Sequence, residues 1–250
     1  MKCGTSSLHR TLVQHPNLIA SIKKEVHYFD ESKNFQKGKN WYLAHFPLKL
    51  TVWLKQKISG KKHLTFEATP SYVAFPHVAE RLKEVNPDAK IIVMFRNPVD
   101  RAYSHYFHSF RPLREKLPFD EAIAAEPDRL NGEFEKMEAD PNYWSQSFAR
   151  FSYLARGMYG DQMERWFKYF PKEQIMIIDS SYYYKNTQKC YNEVLDFLGL
   201  EHYEPKGFKK SVYPSYDKMS DELRQKLVAY FKPHNQKLYD LIGQQYDWDK

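Results

Sequence analysis

The segment Lys2-Cys3-Gly4-Thr5-Ser6-Ser7 gathers the residue types that bind an oxyanion, and an apparent helix from Leu8 to Gln14 follows it, ended by His15-Pro16. Gly4 lets the backbone approach a ligand closely, and the N–H groups after it point along the positive end of a helix dipole. Lys2 adds a mobile positive charge, and Thr5, Ser6 and Ser7 offer hydroxyl donors. A phosphate or a sulfate suits this set. The loop is not a Walker A motif, because the GxxxxGK[ST] spacing is absent and the lysine precedes the glycine. Gly-Thr-Ser-Ser ahead of a helix is also an ordinary N-cap, so the loop alone does not decide the chemistry.

A second anion site is legible at Arg96-Asn97-Pro98-Val99-Asp100-Arg101, with Ser104 eight residues beyond Arg96. Arg96 follows an apolar run, and Pro98 stands where a first helical turn accepts proline without losing a hydrogen bond. A guanidinium fork and a hydroxyl at this spacing grip one phosphate. The alternative is structural, with Arg96 paired to a nearby carboxylate and Ser104 an ordinary helix residue. A third group of reactive side chains lies in Lys24-Glu25-Val26-His27-Tyr28-Phe29-Asp30. Glu25 and His27, two residues apart, share one side of an extended segment. Lys23 or Lys24 as a surface ion-pair partner is the plain reading of Glu25.

These residues need a scaffold that brings loops together. Ile91-Ile92-Val93-Met94-Phe95 and Ile175-Met176-Ile177-Ile178-Asp179 are short runs rich in β-branched residues, which reads as buried strands, with a weaker strand at Leu64-Thr65-Phe66-Glu67. Helical patterns lie between and around them, over 77–85, 99–110 and 161–170. A further helical stretch spans 220–242, with Ser220 as its N-cap and Pro233 ending or kinking it. Alternating strand and helix predicts an α/β fold with a central, mostly parallel sheet flanked by helices. In such sheets ligands bind beyond the carboxyl ends of the strands, where Arg96 stands.

Length and charge narrow the reading further. At 250 residues the chain fits one domain spanning 1–250. Its net charge of +7 is spread along the sequence, with only paired lysines as dense groups, which points to a poly-anionic cofactor instead of a nucleic-acid groove. Cys3 and Cys190 lack the spacing of a disulfide framework or a zinc site. No apolar run approaches the roughly 20 residues that span a bilayer, and no signal-peptide segment opens the chain. Taken together, these features lead to the expectation of a soluble, cytoplasmic protein without stable membrane insertion.

Lys2-Cys3-Gly4-Thr5-Ser6-Ser7-Leu8 together with Arg96-Asn97-Pro98 and Ser104 resembles the sulfotransferases that use 3′-phosphoadenosine 5′-phosphosulfate (PAPS). The Lys24–Asp30 segment is similar to that of the heparan sulfate glucosaminyl O- and N-sulfotransferases and their bacterial relatives. Glu67-Ala68-Thr69-Pro70-Ser71-Tyr72, Arg156-Gly157-Met158-Tyr159 and Phe231-Lys232-Pro233-His234-Asn235 extend the likeness over nearly the whole chain. The resemblance implies a P-loop-NTPase-like three-layer fold and sulfuryl transfer to a hydroxyl or amine. It also implies that Lys2 to Ser7 hold the 5′-phosphosulfate and that Arg96 and Ser104 hold the 3′-phosphate, with PAPS as co-substrate and no metal. Glu25 becomes the general base, Lys2 the group that stabilises the leaving phosphate, and His27 the residue that orients the base or polarises the sulfuryl oxygens. Tyr159 and the basic pair Lys209 and Lys210, in a late loop, become candidate nucleotide contacts.

Two positions depart from the family. Relatives carry a strand ahead of the first loop, so the expectation is a domain lacking that strand. Ala68 stands where the 3-O-sulfotransferases carry a lysine. The acceptor stays open among glycan hydroxyl, glucosamine nitrogen, hydroxyacyl chain and phenol, with 35–46, including Trp41 and Tyr42, as a possible cleft wall or plain packing. A P-loop kinase would need a Walker-type Lys-Ser/Thr pair, and that pair is missing. A noncatalytic nucleotide- or glycan-binding module would leave the double anion site unexplained.

Overall fold

The structure, a computed structural model, describes residues 1–111, 114–208 and 217–249. Among these residues are four short strands: β1 (Leu18–Ala20), β2 (Leu64–Phe66), β3 (Ile91–Phe95) and β4 (Ile175–Asp179). All pair in parallel. β1 lies on β2 with Leu18 opposite Leu64, and β3 lies on β4 with Ile91 opposite Ile175 and Phe95 opposite Asp179. Among the described residues the strands form two separate parallel pairs in place of one continuous sheet.

Side-chain alternation along β3 explains why helices cover both faces. Val93 and Phe95 enter one core with Tyr28, Phe29, Trp166 and Leu238. Met94 enters another with Cys3, Leu8, Ile178 and Tyr191. The strands therefore form the middle of three layers, and the expected α/β class holds. β1 escaped the sequence reading because three residues between Asn17 and Ser21 show no period.

Helix starts follow their caps. The Asn97 side chain accepts from the N–H groups of Val99 and Asp100, and Pro98 occupies the first turn, so the Pro98–Phe110 helix begins directly after β3. Ser220 caps the Asp221–Ile242 helix by accepting from Leu223 N–H. That helix runs through Pro233 without ending there. An internal proline costs about 3 kcal/mol. Leu227 and Phe231 before it and Leu238 and Tyr239 after it are all buried, and holding both sets against the protein outweighs that cost.

Candidate active site

The first loop turns sharply. Gly4 has φ +94°, and a Cβ there would lie 3.0 Å from the Tyr184 hydroxyl and 3.3 Å from Met94 Cε, so both conformation and space require glycine. The helix Thr5–Leu12 starts at once, with Ser7 and Leu8 N–H donating to Gly4 C=O. Lys2, Gly4, Thr5 and Ser6 line a cavity of about 290 Å³. Cys3 and Ser7 turn the other way, buried, Ser7 Oγ lying 3.3 Å from the Tyr184 hydroxyl.

Glu25, His27 and Asp30 line the same cavity. His27 adopts φ +54°, a left-handed conformation uncommon outside glycine, and this folds the segment back on itself. One face of its ring reaches Asp30, Nδ1 to Oδ2 at 3.0 Å, while Nε2 lies 3.7 Å from Glu25 Oε2. Asp30 is buried and also accepts from Ser71 Oγ. Asp30 first and Glu25 second raise His27 to about 10, against its burial. Hydrogen bonding from His27, opposed by burial and supported by Lys24, holds Glu25 at about 2. Lys24 Nζ donates to Glu25 Oε1 at 2.9 Å and to Ser6 Oγ at 2.8 Å. Lys24 is thus the partner foreseen for Glu25, and it also holds Ser6, so it ties together two residues that line the cavity.

Behind this segment stands Glu67, just past β2. It accepts from Thr69 Oγ1 at 2.6 Å and from the Tyr72 hydroxyl at 2.9 Å, and burial pushes its carboxyl upward. Val26 N–H approaches it at 3.5 Å. The Thr69-Pro70-Ser71-Tyr72 turn therefore holds the Glu25–Asp30 segment from below.

Arg96 follows β3 as expected and lies outside the cavity lining. Its guanidinium sits 4.0 Å from Asp100 Oδ2, and its carbonyl accepts from the Tyr159 hydroxyl at 2.9 Å. Ser104 is buried one face along the Pro98–Phe110 helix. Burial, then Arg96, then Arg111 push the Lys2 ammonium down, so these three cations share one neighbourhood. Mutual repulsion of this kind is relieved by a bound polyanion. Tyr159 is buried, stacked on Phe95 at 4.1 Å, and meets the Arg96 carbonyl from within the core. Lys209 and Lys210 lie outside the described residues.

His108 and Arg156 are among the lining residues to which the sequence reading gave no role. His108 is four residues beyond Ser104 on the same helix, a spacing that puts both on one face, and burial with Lys2 and Arg114 keeps its imidazole low. Arg156 is nearly buried, donates from Nε to Ser152 Oγ at 2.8 Å, and is lowered to about 10 by burial and by Arg101. The aromatic stretch 35–46 does not line this cavity: Tyr42 stacks on Tyr28 at 4.7 Å, and Trp41 lies behind it.

The chain matches the sulfotransferase domain family over residues 1–239. It is 28% identical to the membrane-associated sulfotransferase kil1 of Dictyostelium discoideum, over 99% of this chain and 64% of that protein. Identity to heparan sulfate glucosamine 3-O-sulfotransferase 5 of Homo sapiens is 26%, over 99% of this chain and 71% of that one. For the bifunctional heparan sulfate N-deacetylase/N-sulfotransferase 3 of Homo sapiens the figure is 29%, over 96% of this chain but 29% of the relative. The crystal structure of a sulfotransferase from Alicyclobacillus acidocaldarius superposes with a TM-score of 0.74 at 29% identity, covering all of this chain and 95% of that one. The expectation of a cytoplasmic protein is corrected here, since a relative matching nearly the whole chain is membrane-associated. Its grounds, few cysteines and no apolar span, describe how a domain folds and carry no address. From its loops, its parallel α/β scaffold and these matches, the chain belongs to the sulfotransferase domain family.

Proposed function

We propose that this chain, acting as one catalytic unit, transfers a sulfuryl group from PAPS to a glycan hydroxyl or amine. The observation that carries the proposal is the convergence of the anion loop (Lys2, Gly4, Thr5, Ser6) with Glu25 and His27 on one cavity. PAPS supplies a sulfuryl group on a phosphate: the acceptor–sulfur bond forms as the sulfur–phosphate-oxygen bond breaks, and the acceptor proton leaves. Lys2 and the N–H groups after Gly4 neutralise charge on the departing phosphate side. Arg96, with Ser104, holds the 3′-phosphate, and Tyr159 fixes the Arg96 backbone.

Glu25 takes the proton. A carboxylate at about 2 is fully ionised but a weak base, and the cations that depress it are His27 and Lys24. Lys24 already touches Ser6 in the anion loop, so an anion bound there draws its charge away and strengthens Glu25. His27, anchored by Asp30, keeps the carboxylate aimed. Trp144 and Phe75 in the cavity wall offer apolar faces of the kind that pack on sugar rings. Two of the relatives named above carry heparan sulfate in their names, which supports a glycan acceptor.

The test is incubation with ³⁵S-labelled PAPS and a panel of desulfated glycans, glucosamine oligosaccharides, hydroxyacyl compounds and phenols. Label transferred to a glycan is the expected result. Calorimetric binding of adenosine 3′,5′-bisphosphate without transfer to any acceptor would leave a noncatalytic nucleotide module.

A further inference from the structure

The eleven-residue helix Lys49–Ser59 presents its apolar side to solvent. None of its residues is buried. Val52 and Gln56, one turn apart, are its half-covered positions, and Gln56 Oε1 accepts from His63 N–H at 3.0 Å. The opposite side carries Leu50 (63% exposed), Trp53, Leu54 and Ile58 (85% exposed), and Leu48, just before the helix, is 76% exposed. A surface helix ordinarily turns such a stripe inward, and a contiguous outward patch of large apolar groups marks a binding surface.

Charge states what it binds. From Ser32 to Phe66 the sequence holds eight lysines and no aspartate or glutamate. Lys49 and Lys55 flank the stripe at helical spacing, and Lys57 sits within it, 5.9 Å over the Trp53 ring. Among the described residues none of these three lysines is in an ion pair. Apolar residues with a tryptophan at the centre and long cationic side chains at the rim match a bilayer interface, where the stripe enters the acyl boundary and the ammonium groups reach anionic headgroups. A polysaccharide would satisfy the lysines but leave Leu50 and Ile58 in water. A symmetric second copy would bring two lysine rims together without an acidic residue to offset them.

We infer that the Lys49–Ser59 helix docks this protein in-plane on an anionic lipid surface. Among the described residues no helix is long and apolar enough to cross a membrane; an eleven-residue amphipathic helix of this kind lies in the plane of the interface. Ile22, three residues before Glu25 and 83% exposed, donates its N–H to His45 C=O at 2.9 Å, four residues ahead of the helix's first residue.

The experiment is co-sedimentation of the full chain with vesicles of phosphatidylcholine alone and of phosphatidylcholine mixed with phosphatidylglycerol, at low and high salt. Partition into the anionic vesicles is expected to exceed that into neutral ones by roughly tenfold or more, and to fall with salt. Leu54→Glu/Ile58→Glu and Lys55→Glu/Lys57→Glu should each reduce partition by about tenfold or more. All four positions are exposed, so adenosine 3′,5′-bisphosphate binding and thermal midpoint should stay unchanged in both variants. Failure to sediment with either vesicle overturns the inference. So does retention on heparin that depends on Lys55 and Lys57 but not on Ile58, which would make the face a polysaccharide groove. A concentration-dependent dimer dissolved by Ile58→Glu would overturn it as well.

Discussion

Lys24 stands between Ser6 and Glu25, its ammonium 2.8 Å from Ser6 Oγ and 2.9 Å from Glu25 Oε1. In the proposed reaction one charge therefore joins the loop assigned to the donor to the carboxylate assigned as base, and the two are electrostatically a single unit.

Glu25→Gln keeps the side chain's size and its ability to accept from Lys24 but cannot take a proton. Turnover should fall by about 10²–10⁴-fold, the usual worth of a positioned general base. Calorimetric affinity for adenosine 3′,5′-bisphosphate should stay near that of the unaltered protein. Retained turnover would remove Glu25 from the mechanism.

The paired shifts of Glu25 and His27 fix a pH window for stability. Glu25, lowered to about 2, contributes above its ordinary value of about 4.3, and that contribution is lost as pH falls toward 2. His27, raised to about 10, contributes fully below about 6.5 and loses its contribution as pH rises through 10. Both side chains are partly exposed, so solvent screening keeps the effect modest. Thermal midpoints should decline between about pH 6.5 and 10, and His27→Asn should flatten that decline, asparagine being tolerant of the left-handed backbone. An unchanged alkaline slope in the variant would assign it elsewhere.

Arg96→Ala should weaken adenosine 3′,5′-bisphosphate by about 10–100-fold, the loss of a charge-assisted contact. Adenosine 5′-phosphate, which lacks the 3′-phosphate, should lose little. Equal losses for both ligands in a competition assay would show Arg96 serving the fold through Asp100 instead.

Gly157 has no room for a side chain. A Cβ there would lie 2.6 Å from Phe231 Cε1 and 3.0 Å from Pro98 Cβ, both on helices that frame the core. Gly157→Ala should cost about 1–3 kcal/mol, the penalty for overpacking. Differential scanning calorimetry should record a midpoint lower by roughly 2–4 °C per kcal/mol.

Much of the scaffold was readable because β3 and β4 are β-branched runs closed by residues that stop strands. The site was readable in pieces. Glu25 and His27 were placed on one side of an extended segment, yet the left-handed turn at His27 is what swings its second nitrogen to Asp30. No two-residue period encodes that turn. His108 stood one helical turn from Ser104 and was available to the same spacing argument. Arg156 was not, because only folding brings it across from a segment more than a hundred residues beyond the loop. The outward stripe of the Lys49–Ser59 helix was hidden for a different reason: its pattern reads as an ordinary amphipathic helix, and only the solvent side of the fold shows which face is covered.

Cys3 and Cys190 are free thiols, both buried, and Cys3 lies inside the anion loop. An alkylating reagent reaches such a thiol only during transient opening of the backbone around it. With Cys190 replaced by alanine, the labelling rate at Cys3 becomes a clock for the breathing of this one loop, read from a residue the loop already carries.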